Sequence, residues 1–129
     1  MRKIKVVAAF IEKNDKVLIA QRLNGDLAGK WEFPGGKVEN GETDDKAIIR
    51  EIYEEFNISI KCDDFICSNI SIVDDKEIEL KLYRCTYLSG EVILSAHSSY
   101  VFVDKNLLLT YDLAEADIEL VKYILKNKI

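Results

Sequence analysis

Three glutamates are the residues of this chain whose spacing most directly suggests chemistry. Glu51, Glu54 and Glu55 lie within five positions of one another. On a helix, which turns about 100° per residue, they occupy one continuous arc beside an apolar stripe. Converging carboxylates repel one another, and a divalent cation such as Mg²⁺ removes that repulsion. The spacing therefore favours a metal site, and the alternative interpretation is an ordinary solvated acidic face.

The segment before this helix strengthens the metal-site interpretation. Pro34-Gly35-Gly36 predicts a tight turn whose backbone can approach a phosphate or a metal closely. Glu39 and Glu42 add two more acids just before the helix. Arg50 precedes Glu54 by four residues and can hold its carboxylate in place, although a surface ion pair has the same spacing.

The elements that must position these residues are predicted from apolar periodicity and turn residues. Helices are expected at 44–56, capped by Thr43 and ended by a left-handed Asn57, and at 117–126. The helical wheel gives the first helix an apolar stripe of Ile48, Ile49, Ile52 and Phe56. Strands are expected at 6–11, 17–22, 31–33, 65–73, 78–88 and 100–103. We therefore expect a single α+β domain over residues 1–129, an α/β/α sandwich with a mixed, mostly antiparallel sheet between helices.

Composition excludes several classes of partner. Twenty-three acidic and 18 basic residues give a net charge of −5, which argues against a nucleic-acid polymer or an anionic membrane as partner. Three cysteines without a CxxC pair predict reduced thiols, and the single His97 makes a histidine-based metal or triad site improbable. The short apolar run after Met1 lacks a cleavage site, so we expect a cytoplasmic protein.

The stretch from Gly36 to Ile58 resembles the signature of the Nudix hydrolases. That signature is Gly-x5-Glu-x7-Arg-Glu-U-x-Glu-Glu-x-Gly-U, where U is aliphatic. Every position matches except the last glycine, which is Asn57 here, and asparagine can also end a helix. Segments at 6–9, 18–22, 31–37 and 113–118 resemble the MutT-like branch, and within it the CTP and modified-cytidine pyrophosphohydrolases.

The resemblance implies hydrolysis of a nucleoside triphosphate to the monophosphate and pyrophosphate with Mg²⁺, for which Mn²⁺ can substitute. It implies metal ligation by Glu51, Glu54, Glu55 and the carbonyl of Gly35. It assigns catalysis to Glu51, Glu54 and Arg50, with Glu51 as the base that deprotonates water. In some relatives a later loop supplies an acid instead. That position falls near Ala96, which cannot serve, so the weight shifts to Glu51.

The same resemblance implies a nucleotide-binding set formed by Arg22, Glu32, Phe33, Pro34, Gly35, Gly36 and Asp117. Arg22 could instead be a surface strand residue, and Phe33 could either stack on the base or fill the core. Asp117 could read the base or cap the last helix. An ionised aspartate only accepts hydrogen bonds, which favours the exocyclic amine of cytosine. A protonated aspartate could read an oxidised purine.

The expected substrate is therefore CTP, dCTP or a 5-modified cytidine triphosphate. The alternatives are an 8-oxo-dGTP or other oxidised-purine triphosphate, or another nucleoside diphosphate linked to a further group. A Nudix-fold binding module without catalysis is disfavoured, because the acidic helix is retained. The partner is expected to be a small nucleotide, with the protein a monomer or homodimer.

Overall fold

A computed structural model describes residues 1–129, which form seven strands and two α-helices. The strands are β1 Arg2–Lys13, β2 Lys16–Arg22, β3 Trp31–Glu32, β4 Gly35–Lys37, β5 Ser59–Val73, β6 Lys76–Ser89 and β7 His97–Asp104. The helices are α1 Asp44–Phe56 and α2 Glu115–Lys126, and a 3₁₀ helix covers Lys105–Thr110. The bounds of α1 and the left-handed Asn57 after it are those predicted.

All seven strands belong to one sheet with the order β3-β2-β1-β6-β5. The β1·β6 pair is parallel, whereas the other pairs are antiparallel. β2 pairs with β1 only near their shared turn, and β4 takes the place beside β1 at Val6–Ala8. β7 lies on the other side of β2. The predicted mixed, mostly antiparallel sheet is confirmed.

The core has two halves, one on each face of the sheet. Successive β1 residues point to opposite faces, so Val7 and Ala9 pack on the α1 side and Ala8 and Phe10 on the α2 side. The helices bury apolar stripes made of Ala47, Ile48, Ile52 and Phe56 from α1 and of Leu120, Val121 and Ile124 from α2. Burial of each large apolar side chain contributes about 1.5–3 kcal/mol to the stability of the folded state. The predicted sandwich is confirmed, except that Ile49 is 40% exposed and lies outside the stripe.

Several local predictions are wrong. Gly35 and Gly36 form a strand rather than a tight turn, because β4 pairs with β1 and the Pro34 carbonyl accepts the Ala9 N–H at 2.8 Å. β5 begins at Ser59, earlier than the expected 65–73 strand. α2 begins at Glu115 with Ala114 as N-cap, so Asp117 is not the cap.

Two findings bear on the setting of the protein. None of the helices has the length and hydropathy needed to cross a membrane. All three cysteines are free thiols, as predicted, and burial raises the pKa of each one.

Candidate active site

The N-terminal end of α1 is fixed to the sheet through its first residue. Asp44 accepts a hydrogen bond from the Tyr83 hydroxyl at 2.6 Å, and it faces the Nζ atoms of Lys5 at 3.4 Å and Lys81 at 3.5 Å. Thr43 is the N-cap, as predicted, but its side chain makes no hydrogen bond to the helix N–H groups. The position of α1 on the sheet therefore depends on the charges around Asp44 as well as on its buried stripe.

The C-terminal end of α1 is held by the segment that connects β6 to β7. Ser95 donates its N–H to the carbonyl of Glu55 at 3.2 Å and its hydroxyl to the carbonyl of Glu54 at 3.1 Å. Asn57 ends the helix with φ of 60°. The backbone that carries the two glutamates is therefore anchored, because carbonyls left free at a helix end find donors in this segment.

Arg50 lies at the centre of an acidic cluster. Its guanidinium bonds to Glu42 at 2.6 and 2.9 Å, to Glu51 at 2.9 Å and to Glu54 at 2.8 Å, and lies 3.6 Å from Glu39. The hydrogen bond from Arg50 lowers the pKa of Glu42 to about 2, and the same contacts raise the pKa of Arg50. The Arg50–Glu54 contact expected from sequence is present, and it is one of several rather than an isolated surface pair.

Two glycines allow the backbone of β4 to approach its neighbours. A Cβ added to Gly35 would lie 2.0 Å from the carbonyl oxygen of Val7. A Cβ added to Gly36 would lie 2.2 Å from the Cδ atom of Glu51. Gly35 therefore has no room for a side chain against the β1 backbone. A side chain at Gly36 would meet only the movable carboxylate of Glu51, which lies directly against the β4 backbone.

Glu55 is a half-buried carboxylate that forms no hydrogen bond or ion pair within the protein. Burial raises its pKa, and the nearby Glu51 and Glu32 charges raise it further, while His97 and Arg22 act in the opposite direction. A carboxylate in this setting is costly to ionise unless a cation accompanies it. Glu55 is therefore the strongest local indication of a missing positive charge.

The acidic face of α1 has the chemistry of a site for a hard divalent cation. No three His, Cys, Asp or Glu side chains lie close enough together to hold a metal ion. Arg50 bonds to one oxygen each of Glu51 and Glu54, and the second oxygen of each makes no hydrogen bond. These oxygens, Glu55 and the Gly35 carbonyl form a donor set that suits Mg²⁺. The residues therefore fit the ion, provided that side chains rotate.

A second cluster lies where β2 ends. The Glu32 carboxylate accepts from the Arg22 guanidinium at 3.2 Å through Oε1 and faces His97 Nε2 at 3.0 Å through Oε2. His97 is 8% exposed, and its ring stacks on Phe56 with centroids 5.0 Å apart. Arg22 is thus not an isolated surface residue. His97 was missed from sequence, because a lone histidine offers no motif.

Phe33 and Asp117 meet on the α2 side of β3. Phe33 is 3% exposed and packs against Phe10 with ring centroids 6.0 Å apart, so it fills the core and has no free face for a base. Its N–H donates to Asp117 Oδ1 at 3.0 Å. Asp117 is 6% exposed, and burial raises the pKa of its carboxyl to about 7.

The expected site residues thus form two neighbouring groups. The α1 carboxylates, Arg50 and the two glycines form one, and the residues around Glu32 form the other. Glu55 lies between the two groups, because the charges of both Glu51 and Glu32 raise its pKa. A cavity of about 330 Å³ lies elsewhere, between Lys13, Tyr87 and Phe102, and includes none of the expected site residues.

Comparison with known proteins identifies relatives of this chain. The sequence profile of the NUDIX domain matches residues 1–117. The chain is 37% identical to the CTP pyrophosphohydrolase of Escherichia coli over 123 residues, which covers 95% of this chain and 91% of that protein. It is 34% identical to the 8-oxo-dGTP diphosphatase of Proteus vulgaris over 93 residues, which covers 70% of this chain and 83% of that protein. The solution structure of the E. coli ORF135 protein superposes with a TM-score of 0.91 at 36% identity, covering 99% of this chain and 92% of that one.

The fold and the acidic helix define a hydrolase of phosphoanhydride bonds. The profile match spans most of the chain, and the chain belongs to the Nudix hydrolase family. The predictions of family, fold class and hydrolytic activity on nucleotide phosphoanhydride bonds are therefore confirmed. Nudix hydrolases generally use a divalent metal and act on small nucleotides.

Proposed function

We propose that this Nudix pyrophosphohydrolase converts CTP, dCTP or a 5-modified cytidine triphosphate to the monophosphate and pyrophosphate. The observation that supports the proposal is the acidic character of the residues around β3: Glu32 bonds to Arg22, and the charges of both residues act on the buried carboxyl of Asp117. When ionised, each of these carboxylates accepts hydrogen bonds and donates none, and the exocyclic amine of cytosine is a donor. The 37% identity to a CTP pyrophosphohydrolase supports this choice.

Asp117 also gives a reason to keep a second substrate class. Burial raises its pKa to about 7, so at neutral pH the ionised and protonated forms are both populated. The protonated form can donate to an acceptor on an oxidised purine. The 8-oxo-dGTP diphosphatase among the relatives is consistent with this alternative. Hydrolysis of other nucleoside diphosphate derivatives is the remaining enzymatic alternative.

The α1 carboxylates are proposed to hold Mg²⁺, or Mn²⁺ in its place. Glu51, Glu54 and Glu55 with the carbonyl of Gly35 are its ligands. When bound, the ion neutralises phosphate charge and acidifies water. Arg50 orients Glu51 and Glu54 by holding one oxygen of each. Its removal would let the two carboxylates turn away from each other.

Glu51 is proposed as the general base that takes the proton of the attacking water. Its carboxylate lies against Gly36, where no side chain can displace it, and Arg50 fixes one of its oxygens. The other oxygen makes no hydrogen bond, and its two lone pairs would allow it to accept a proton as well as to bind the ion. The substrate phosphates are expected to lie along the β4 backbone, because this backbone has no side chains at Gly35 and Gly36 to exclude them.

Pyrophosphate release from a panel of canonical and modified NTPs and dNTPs, with and without Mg²⁺, tests the proposal. We expect Mg²⁺-dependent release that is fastest with a cytidine nucleotide. Glu54→Gln and Glu55→Gln should each lower kcat by orders of magnitude with an intact fold. Glu119→Gln, on the exposed face of α2, is the matched control. Near-normal turnover in both variants would refute the metal assignment.

Other results would exclude other parts of the proposal. Fastest release from 8-oxo-dGTP would exclude the cytidine assignment in favour of the oxidised-purine alternative. If only ADP-ribose or a dinucleoside polyphosphate were hydrolysed, nucleoside triphosphates would be excluded as substrates. Binding without hydrolysis of any compound would indicate a binding module. The cytoplasmic location and the monomeric or homodimeric state stay predictions.

A further inference from the structure

His97 reaches the second cluster because of an irregularity in the sheet. β7 pairs regularly with β2 from Lys16↔Asp104 to Gln21↔Ser99, and then Arg22 pairs with His97. Ser98 is therefore an extra residue, as in a β-bulge. Without the bulge, His97 would face the same side as Val101 and Val103, which is the α2 side. The bulge turns His97 to the α1 side, where it stacks on Phe56 of α1.

The hydrogen bonds of His97 define its tautomer. Nε2 lies 3.0 Å from a Glu32 carboxylate oxygen, so this nitrogen is the donor. Nδ1 is buried and has no hydrogen-bond partner. A proton on Nδ1 would be a buried donor without an acceptor, which is costly. In the neutral form of the ring, the geometry therefore places the proton on Nε2 rather than on Nδ1.

Glu32 is held at both oxygens, by Arg22 on one side and by His97 on the other. A carboxylate has about four acceptor positions, so two remain for a ligand. Two fixed donors define the plane of the carboxylate, and therefore the directions of the remaining positions. One donor alone would leave the carboxylate free to rotate about its bond to Cγ.

We propose that His97 is a positioning residue that orients Glu32 toward the base of the nucleotide, an inference that rests on the proposed role of this cluster in base recognition. His97 itself does not contact the nucleotide. Its removal should weaken base discrimination and raise KM for the preferred triphosphate, while kcat changes little. Substitution of a residue needed only for packing would not affect KM and base discrimination selectively. Loss of packing lowers the folded population, and therefore the rate, for every substrate alike.

Two substitutions separate orientation from packing. His97→Phe keeps an aromatic ring against Phe56 but removes the donor, whereas His97→Gln keeps an N–H donor near the place of Nε2 but removes the ring. Loss of a hydrogen bond to a charged group changes an equilibrium constant about tenfold or more, and the equilibrium affected here is the orientation of Glu32. We therefore expect His97→Phe to raise KM about tenfold with kcat within about twofold of wild type. His97→Gln should lie within about threefold of wild type in both constants.

Binding of CMP and UMP measures base recognition without turnover. The wild type should bind CMP more tightly than UMP, because uracil lacks the donor amine. His97→Phe should reduce this ratio about tenfold, and His97→Gln should retain it. Native-like behaviour of His97→Phe together with a defect in His97→Gln would overturn the proposal in favour of packing. If both variants showed the same rise in KM, the same fall in kcat and the same fall in Tm, the proposal would also be overturned.

The tautomer can be observed directly, because His97 is the only histidine. Nitrogen-15 NMR of the neutral ring should show a protonated Nε2 and a lone pair on Nδ1, and Glu32→Gln should shift the Nε2 signal. The reverse tautomer would refute the positioning role. This readout needs neither metal nor substrate, so it distinguishes failure of this proposal from failure of the proposed function. If the wild type prefers another base, the cytidine proposal fails, and the comparison is made with that monophosphate.

Discussion

Asp117→Asn is expected to make the stability of this protein less dependent on pH. Asp117 is 6% exposed, and burial raises its pKa from an ordinary value of 3.8 to about 7. The charge of Glu32 raises it further, while the Phe33 N–H and Arg22 oppose the rise. The folded protein therefore keeps a proton on Asp117 at pH values where the unfolded chain has released it.

The size of the effect follows from the shift. The difference between 3.8 and about 7 is roughly three pKa units, or about 4 kcal/mol at about 1.4 kcal/mol per unit. Between these values the folded state binds more protons than the unfolded state, so the free energy of unfolding falls as pH rises. The penalty is absent below about pH 4 and complete above about pH 7. Asparagine never ionises, and its Oδ1 can still accept the Phe33 N–H.

Urea unfolding of wild type and Asp117→Asn at several pH values measures this difference. The single Trp31 reports on the transition, because its ring packs against Tyr111 next to α2. We expect the variant to be more stable by about 2–4 kcal/mol above pH 7 and equal to wild type near pH 4. Glu115→Gln, exposed in the same helical turn, is the control. A stability difference that stays constant across this pH range would refute the reasoning.

Three further substitutions test individual contacts. Glu55→Gln should abolish Mg²⁺-dependent turnover and raise Tm in metal-free buffer, because it removes a half-buried unpaired charge; an unchanged Tm would argue against that charge. Gly36→Ala should lower kcat, since its Cβ would displace Glu51, while circular dichroism stays native; full activity would argue against the role of Glu51. Tyr83→Phe should cost about 1 kcal/mol in urea unfolding by removing the bond to Asp44, and no loss would mean that this bond is replaced by water.

Local signals explain the parts of the fold that sequence predicted. The bounds of α1 follow from a periodic apolar stripe, and its end follows from Asn57, which tolerates a left-handed backbone. The acidic face follows from the same periodicity. These features depend on residues within a few positions of one another, so one sequence is enough to identify them.

The errors arise where distant segments decide the structure. Gly35 and Gly36 resemble a turn because glycine after proline is typical of turns. Pairing of β4 with β1, far away in sequence, makes them a strand instead. Asp117 resembles a helix cap, but Ala114 takes that place and Asp117 bonds to Phe33. His97 was missed because the bulge that turns it inward depends on the register between two strands.

Under the proposed function, bond cleavage and base recognition belong to different elements, and β3 with the residue after it, Phe33, links them. α1 and β4 carry the carboxylates and the glycine backbone beside Glu51. Glu32 of β3 is held from the α1 side by His97, and the next residue, Phe33, is held from the α2 side through its N–H to Asp117. Because the Glu32 side chain and the Phe33 N–H are held from opposite faces, we expect a substitution at Asp117 to change the position of Glu32. Base preference can therefore vary through residues that touch neither the metal ligands nor the general base, which is consistent with relatives of one fold that bear the names of different nucleotides.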